Sequence, residues 1–509
     1  MGSNKPSIVD VIDASASRFP MKPMVEAGGE VWTYAAVMDA SHREAAALNE
    51  RGVGKGDRVA IMGLNCPEYL VAAIAVWRVG AVLVPVNHKL TSAECGYILN
   101  HSNARLTYAS AELEDVVREA NGGAQICRLE AITKGDDGAR SPRFAAPDIS
   151  ENDPAEILYT SGTTGKPKGC MHTHRGLVSV AMLSAIAMSV VPRDRTLIAM
   201  PIWHAAPLNN FCLPTLYVGG TLVLLREYEP EAFLRTMSDA AVTVYFGSPV
   251  SYTLPLSRPG GTDEFDFSQV RALFYGGGPI SAELSRRLAA AYRTDRFHQV
   301  YGMTETGPGG TMLYPEEQKA KAGSIGRASQ PGAMLRLLTD GRDATAGEVG
   351  EIWLHCPGLM EGYLDDPEAT AEVIVDGWYR TGDLARIDED GYLFIVDRAK
   401  DMVVTGGENV YSKEVEDALG SLPEIADCAV IGLPHEEWGE TVVAAIIPAV
   451  ASVDEAALRQ GLAKQLAAYK VPRRFLAVDE LPRTPTGKIQ KHILRAMFTA
   501  SPSLQQSEV

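Results

Sequence analysis

Two patterns of apolar and polar residues alternate along roughly the first 300 positions. Short apolar runs typical of strands lie at residues 58–63, 81–85, 196–200, 221–225, 243–246 and 272–275. Stretches with helical start and stop signals lie at residues 7–18, 32–51, 67–78, 230–240 and 281–292. Thr33 and Ser281 stand where an N-cap is expected, and Glu283 falls in the first turn of its helix. Strands that alternate with helices predict βαβ units and a parallel sheet.

The pattern changes after Pro331. Three runs, 349–355, 384–388 and 392–396, indicate antiparallel strands with a turn at residues 389–391. Beyond Lys400 a second small unit is expected, with helices at 412–420 and 454–468 and strands near 429–432 and 442–448. We therefore divide the chain into an N-terminal domain of residues 1–396, a hinge at 397–400 and a C-terminal domain of residues 401–509.

Composition limits the class of protein. The chain has 509 residues, of which 46% are hydrophobic and 22% charged, as in a globular protein of several compact units. A net charge of −17 argues against nucleic acid and anionic membrane as partners. Seven dispersed cysteines and an N-terminus without an apolar signal core indicate a cytoplasmic protein with reduced thiols. The apolar stretch 69–86 is broken by Arg78 and Gly80, which favours a buried helix and strand over a membrane span.

Residues 158–169, LYTSGTTGKPKG, carry the first chemical signal. Hydroxyl groups, backbone N–H groups beside glycine and the ammonium groups of Lys166 and Lys168 together suit a polyphosphate. The Walker A pattern cannot be laid onto these residues. The alternative is a flexible surface loop of turn-forming residues.

Further motifs follow in a fixed order. They are YGGG at 275–278, YGMTE at 301–305, YRTGDL at 379–384, DRAK at 397–400 and PTGKI at 485–489. Taken together, these motifs resemble those of the AMP-forming adenylating enzymes: acyl-CoA synthetases, adenylation domains of peptide synthetases, and luciferases. The resemblance extends over nearly the whole chain and is closest to the acyl-CoA synthetases.

The resemblance implies roles around the nucleotide. Thr304 is expected on the α-phosphate, Glu305 on Mg²⁺, and Lys488 between the attacking carboxylate and the α-phosphate, so these three are the expected catalytic residues. Asp383 is expected to accept both ribose hydroxyls. The expected ATP- and AMP-binding residues are Thr160, Ser161, Gly162, Thr163, Thr164, Gly165, Lys168, Gly276, Gly277, Gly278, Tyr301, Gly302, Asp383 and Arg398.

Each role has a plainer alternative. Glu305 alone would be a solvated turn carboxylate, residues 275–278 a plain strand-to-helix turn, and Lys488 one more surface lysine. Arg398 could instead form an ion pair with its neighbour Asp397.

The resemblance also assigns the remaining substrates. Lys400 falls at the expected pivot, and Gly406, Gly407 and Trp438 are expected along the CoA channel, although Trp438 could instead be a buried structural residue. The acyl pocket is expected at three positions, His204, Ala205 and Leu183. We interpret His172 and His174, which flank Thr173, as structural, and Cys170 as a small apolar substitution.

These observations predict an ATP-dependent acyl-CoA synthetase using ATP, Mg²⁺ and coenzyme A. The implied fold is α/β, with a large N-terminal domain of βαβ-built sheets, a distorted antiparallel β subdomain and a small mobile α+β C-terminal domain. One alternative is a stand-alone enzyme that loads the phosphopantetheine of a carrier protein. Another is a non-catalytic nucleotide-binding protein. The identity of the acid is left open, and a homodimer is suggested by the resemblance alone.

Overall fold

The computed structural model describes residues 6–120, 125–136, 144–160, 166–278, 280, 282–328, 331–406, 408–435, 438–451, 453–483 and 489–499. Within them the chain is a mixed α/β protein with a large N-terminal and a smaller C-terminal part, which confirms the predicted fold class. By contacts it divides into two units, residues 1–336 with 353–380, and residues 337–352 with 381–509. The predicted hinge at 397–400 concerns motion and stays a prediction.

Helices begin where the sequence supplies caps. The Ser7 hydroxyl accepts from the Asp10 backbone N–H, and the Asp10 carboxylate accepts from the Ser7 N–H, so α1 starts with a reciprocal capping box. The helices are α1 Ile8–Arg18, α2 Tyr34–Glu50, α3 Pro67–Arg78, α4 Ser92–His101, α5 Glu114–Ala120, α6 His174–Ala187, α7 Leu213–Val218, α8 Pro230–Asp239, α9 Pro249–Thr253, α10 Ala282–Ala291, α11 Pro367–Val373, α12 Ser412–Gly420, α13 Glu455–Leu462 and α14 Lys491–Thr499. A π-helix, Ala206–Cys212, precedes α7.

The strands include one at each predicted apolar run, although most of its ends differ from the predicted ones, and further strands that were not predicted. They are β1 Pro23–Ala27, β2 Glu30–Thr33, β3 Arg58–Met62, β4 Val82–Val86, β5 Ala104–Ala109, β6 Gln125–Arg128, β7 Pro154–Thr160, β8 Lys168–Thr173, β9 Arg195–Ile198, β10 Thr221–Leu224, β11 Val244–Gly247, β12 Ala272–Tyr275, β13 Phe297–Gly302, β14 Gly310–Leu313, β15 Arg327–Ala328, β16 Met334–Thr339, β17 Arg342–Asp343, β18 Val349–His355, β19 Gly362–Tyr363, β20 Ile374–Val375, β21 Trp378–Ile387, β22 Leu393–Arg398, β23 Val403–Thr405, β24 Glu408–Val410, β25 Ile425–His435, β26 Gly439–Pro448 and β27 Arg474–Ala477.

Two sheets form the framework of the first unit. One has the order β15-β14-β13-β12-β11-β9-β10-β1-β2 and the other β19-β8-β7-β4-β3-β5-β6. Strands β9 to β13 run parallel to one another, as do β3 to β7, so the predicted parallel sheet is confirmed in both. The carboxyl ends of β11, β12 and β13 therefore lie at one edge, where open α/β sheets bind ligands.

The other two sheets are mainly antiparallel. One has the order β17-β16-β18-β21-β20, with β22 paired to β21, and the boundaries between the two units fall within β16, β18 and β21. The second unit contains the order β24-β23-β26-β25, with β27 parallel to β26. Its core is formed by apolar side chains from α12, α13 and these strands, among them Val403, Val415, Leu419, Val430 and Leu462.

Helix α3 explains the most apolar stretch of the sequence. Eleven of its twelve residues are buried, Pro67 occupies its first turn, and β4 follows as a fully buried strand. The prediction of a buried helix followed by a core strand is thus confirmed. No helix in the described part of the chain is both long and apolar enough to cross a membrane.

Two predicted boundaries are wrong. The helix predicted at 32–51 begins at Tyr34, because Trp32 belongs to β2, where it pairs with Val25 of β1. The helix predicted at 454–468 ends at Leu462. The guanidinium of Arg459 donates to the carbonyl oxygens of Pro472 and Arg473, which holds the returning chain beside the helix end.

Candidate active site

The hairpin of β7 and β8 carries the predicted phosphate-binding segment. Thr160 ends β7 and pairs in register with Lys168, which begins β8. Ser161, Gly162, Thr163, Thr164 and Gly165 lie outside the described residues. The Lys168 ammonium lies 5.0 Å from the ring centroid of Tyr363 and 3.8 Å from the Asp366 carboxylate. Its position beside the loop end fits the predicted contact with phosphate, which stays a prediction.

The turn Thr304–Thr306 holds the predicted metal ligand. Glu305 is only 8% exposed, and its Oε1 accepts a hydrogen bond of 3.0 Å from the Tyr363 hydroxyl. The backbone N–H of Met360 donates to the Glu305 carbonyl at 2.8 Å. In the described part of the chain no lysine or arginine forms an ion pair with Glu305. A buried carboxylate without a protein cation fits Mg²⁺, which takes one or two carboxylates alongside substrate phosphates.

Glycine is required at the carboxyl ends of β12 and β13 for two different reasons, close contact with other atoms and a positive φ. At Gly276 a Cβ would lie 2.9 Å from the Val300 carbonyl oxygen, and at Gly302 one would lie 2.1 Å from the Pro308 oxygen. Gly277 instead has φ +79° with nothing within 4 Å of a Cβ position, so its backbone conformation favours glycine while the space beside it is open. Gly278 continues this open row, and Tyr301 stands half-buried at the neighbouring end of β13. A flat ligand could lie against such a row.

The predicted acyl-pocket residues lie on two neighbouring elements. Leu183 is on α6, and Ala205 precedes the π-helix, both buried, while the half-buried His204 ring lies 4.9 Å from that of Trp203. Ser184 of α6 donates to Asn210 of the π-helix at 3.2 Å, which ties the two elements together.

An aromatic stack stands beside these elements. Phe211 of the π-helix stacks on Phe246 at 4.7 Å between centroids, with an interplanar angle of 15°. A Cβ on Gly276 would lie 3.3 Å from Phe246 Cε2, so this half-buried ring adjoins the glycine row. Phe211 is buried, so the half-buried Phe246 is the ring of the stacked pair that adjoins the glycine row.

In the second unit the structure pairs two predicted nucleotide residues. Arg398 Nε lies 2.8 Å from Asp383 Oδ1, and the two residues are opposite one another on β21 and β22. Asp397, the partner considered for Arg398, instead accepts hydrogen bonds from the backbone N–H and hydroxyl of Ser412. The alternative of an Asp397–Arg398 ion pair is therefore wrong. The Asp383 carboxylate is buried and held by its guanidinium neighbour.

The predicted pivot and CoA residues also lie in the second unit. Burial, reinforced by the nearby Arg398 charge, lowers the pKa of Lys400. Gly406 has φ +59° and donates its N–H to the Trp438 carbonyl at 2.9 Å; a Cβ there would lie 2.7 Å from the Trp438 ring. Trp438 is 40% exposed, not buried, and the Arg473 guanidinium lies 4.4 Å from its centroid. Gly407 and Lys488 lie outside the described residues.

Two histidines and a cysteine beside the site are buried. His172 and His174 are almost fully enclosed, and burial lowers the pKa of each to about 4, so both rings stay neutral. No group of three or more potential ligands from His, Cys, Asp and Glu occurs among the described residues. Burial raises the pKa of the Cys170 thiol, which agrees with its interpretation as a small apolar residue.

Some residues of the site were missed at the sequence level. Tyr363 contacts both Glu305 and Lys168, and nothing in the sequence around Tyr363 signals these contacts. Tyr379, which packs beside it, opens the YRTGDL motif but was given no role. Glu156 of β7 is fully buried and accepts a 2.8 Å hydrogen bond from Asn209 of the π-helix. A glutamate inside the apolar run before the phosphate loop was the only available signal.

Comparison with known proteins identifies the class. A family model described as AMP-binding enzyme matches residues 12–364, and one described as AMP-binding enzyme C-terminal domain matches residues 414–488. The chain belongs to the AMP-binding enzyme family.

Proteins similar to this chain are ligases that act on carboxylic acids. The chain is 38% identical to a feruloyl-CoA synthase of Amycolatopsis sp. over 94% of the chain and 96% of that protein. It is 33% identical to an indoleacetate–CoA ligase of Aromatoleum aromaticum over 97% of the chain and 99% of that protein. It is also 34% identical to a fatty acid–[acyl-carrier-protein] ligase, ScoC, of Streptomyces coeruleorubidus over 97% of the chain and 96% of that protein.

Solved structures with the same fold also include proteins of this class. ATP-bound MatB from Rhodopseudomonas palustris matches with a TM-score of 0.86 and 32% identity over 97% of the chain and 99% of that structure. The o-succinylbenzoate CoA synthetase of Bacillus subtilis with ATP and magnesium matches with a TM-score of 0.86 and 27% identity over 96% and 99%. The protein is an ATP-dependent acyl-CoA synthetase of the AMP-forming class, with ATP, Mg²⁺ and CoA as its cofactors and substrates, as the sequence predicted.

Proposed function

We propose that the acid is an aromatic carboxylic acid of the hydroxycinnamate type. The observation that carries this proposal is the stacked pair of Phe211 and Phe246 beside the Gly276–Gly278 row, since aromatic walls favour offset or edge contacts with an aromatic substrate. Similarity to a feruloyl-CoA synthase and an indoleacetate–CoA ligase supports the same class of acid.

In the first step the acid carboxylate attacks the α-phosphorus of ATP, forming acyl-AMP and releasing pyrophosphate. We assign the polyphosphate to Lys168 and residues 160–165, the α-phosphate to Thr304, and the charge that develops during attack to Lys488. Glu305 would hold Mg²⁺, which would offset phosphate charge when bound. The Glu305 carboxylate is buried and forms no ion pair with a lysine or arginine among the described residues, which supports this assignment.

In the second step the CoA thiol attacks the acyl carbon, and AMP leaves. We propose that the residues after Lys400 rotate between the two steps, so that Lys488 serves the first and the Gly406–Gly407 segment serves the second. The close approach of Gly406 to the Trp438 ring supports a role for glycine there, since any side chain would displace the ring.

The test is a panel of acids assayed for pyrophosphate release and CoA thioester. Ferulate, cinnamate, indoleacetate, octanoate and palmitate cover the aromatic and aliphatic classes. The proposal predicts higher kcat/KM for the aromatic acids. Preference for octanoate or palmitate would refute it while leaving the ligase activity intact.

A matched pair of variants sharpens the test. Phe246→Leu keeps an apolar side chain but removes the aromatic face, so kcat/KM should fall for the aromatic acids and stay unchanged for octanoate. Phe267→Leu, in the buried core of the same unit, is the control for general destabilisation. An equal loss for both acids in Phe246→Leu would contradict the aromatic contact.

One further acceptor has specific support. The similarity to ScoC, named as a ligase for an acyl-carrier protein, makes a phosphopantetheine carrier the alternative to free CoA. Thioester formation with CoA at physiological concentration would exclude a requirement for a carrier. We also propose a cytoplasmic location, supported by seven free cysteines, and a homodimer, for which sedimentation is the test.

A further inference from the structure

Tyr363 touches two residues to which the proposed function gives different tasks. Its hydroxyl donates to Glu305 Oε1 at 3.0 Å, and the Lys168 ammonium lies 5.0 Å from its ring centroid. We infer that Tyr363 is a positioning residue that fixes the Glu305 carboxylate for Mg²⁺ and seats the Lys168 ammonium for the triphosphate. The inference rests on the proposed roles of these two residues.

The tyrosine is itself held rigidly. It is 7% exposed and lies on β19, opposite Cys170 of β8. Its backbone N–H donates to the Thr370 hydroxyl at 2.9 Å. The same segment reaches the turn of Glu305 a second time, through the Met360 N–H. The hydroxyl therefore has little freedom, and the carboxylate it holds loses little entropy when a ligand arrives.

The two contacts have different chemistry and can be separated. The hydroxyl donates a hydrogen bond to one oxygen of Glu305 and so orients the carboxylate. It adds no positive charge that would compete with a bound cation. The ring faces the Lys168 ammonium, which also lies 3.8 Å from Asp366, so the lysine is steered by the aromatic face and a half-exposed carboxylate.

The experiment measures ATP binding by calorimetry without acid, so that no turnover occurs. Each protein is titrated with ATP in excess EDTA and at a series of Mg²⁺ concentrations. Tyr363→Phe removes the hydroxyl and keeps the ring. We expect its affinity for ATP in EDTA to be unchanged. The Mg²⁺ concentration that gives half of the maximal increase in ATP affinity should rise about tenfold, because a hydrogen bond to a charged group is lost. Tyr363→Leu should also weaken binding in EDTA by about two- to fivefold.

The matched control is Tyr34→Phe. Its buried hydroxyl donates to the Gly220 carbonyl at 2.7 Å in the same unit, with no contact to Glu305 or Lys168. This variant should bind ATP like the parent at every Mg²⁺ concentration. Equal shifts in Tyr34→Phe and Tyr363→Phe would mean a general loss of stability and would overturn the inference.

A second variant separates the inference about Tyr363 from the proposed role of Glu305. Glu305→Gln retains an acceptor for the tyrosine but should abolish the Mg²⁺ enhancement. If Glu305→Gln loses the enhancement while Tyr363→Phe keeps it unchanged, the positioning role of Tyr363 is wrong and the proposed function stands. If the parent does not bind ATP at all, the proposed function fails, and this inference fails with it.

Discussion

Replacing Glu156 with glutamine tests how this fold tolerates an acid in its core. Glu156 is fully buried on β7, with Asn209 Nδ2 donating to its Oε2 at 2.8 Å. Glu156 Oε1 and Asn209 Oδ1 are two of the buried side-chain oxygens that have no hydrogen-bond partner among the described residues. A glutamine amide keeps an oxygen that accepts from Asn209 and replaces the other carboxylate oxygen with an uncharged NH₂ group.

The size of the expected stability difference follows from the raised pKa of Glu156. Desolvation raises the pKa of Glu156 from 4.5 to about 7, although the Asn209 hydrogen bond opposes it. The folded protein thus binds a proton that the unfolded chain releases between these values. The raised pKa therefore leaves the parent's free energy of unfolding unchanged below pH ~4.5 and lowers it as the pH rises towards 7. Above pH 7 this free energy stays about 3 kcal/mol below its value in acid. For a unit of roughly 360 residues this corresponds to about 4 °C in Tm.

The assay is thermal unfolding of Glu156→Gln and the parent from pH 4.5 to pH 8.5. We expect the two Tm values to converge at the acid end and the variant to be more stable by about 4 °C at pH 8.5. Glu50→Gln, at the exposed end of α2, is the control and should show no such trend. A difference that is independent of pH, or a variant less stable at pH 8.5, would refute a neutral buried acid.

Three further substitutions test the assigned roles. Lys488→Ala should lower adenylate formation by about 10²–10³ and spare thioester formation from supplied acyl-AMP; equal loss of both half-reactions would contradict the division. Gly407→Leu should block CoA transfer while pyrophosphate release continues, and a parallel fall in both rates would count against the channel. Asp383→Ala should raise the KM for ATP by about tenfold or more, with the KM for the acid unchanged, and steady-state kinetics at saturating co-substrate distinguish the two.

Local sequence was sufficient where the determinants lie within a few residues. The cap at Ser7 with Asp10 and the uninterrupted apolar faces of α3 are fixed by neighbours along the chain, and these elements form where the sequence predicts them. The order of short motifs was sufficient to identify the class of enzyme, because the motifs resemble those of a known family and follow in the same order.

Contacts between distant segments could not be predicted. Tyr363 and Glu305 are 58 positions apart, and Glu156 and Asn209 are 53 apart, so their pairing depends on the arrangement of β7, β8, β19 and the π-helix. Arg398 illustrates a subtler failure. The strands predicted at 384–388 and 392–396 stop short of both Asp383 and Arg398, and the pairing of these two residues also follows a shift in register between Leu384 and Ala385.

The most direct test of the central claim follows oxygen from the acid. The purified enzyme is incubated with ATP, Mg²⁺, CoA and ferulate labelled with ¹⁸O in its carboxylate, and the nucleotide product is analysed by mass spectrometry. We expect AMP carrying one labelled oxygen, together with pyrophosphate and an acyl-CoA. ADP as the nucleotide product, or AMP without label, would contradict it.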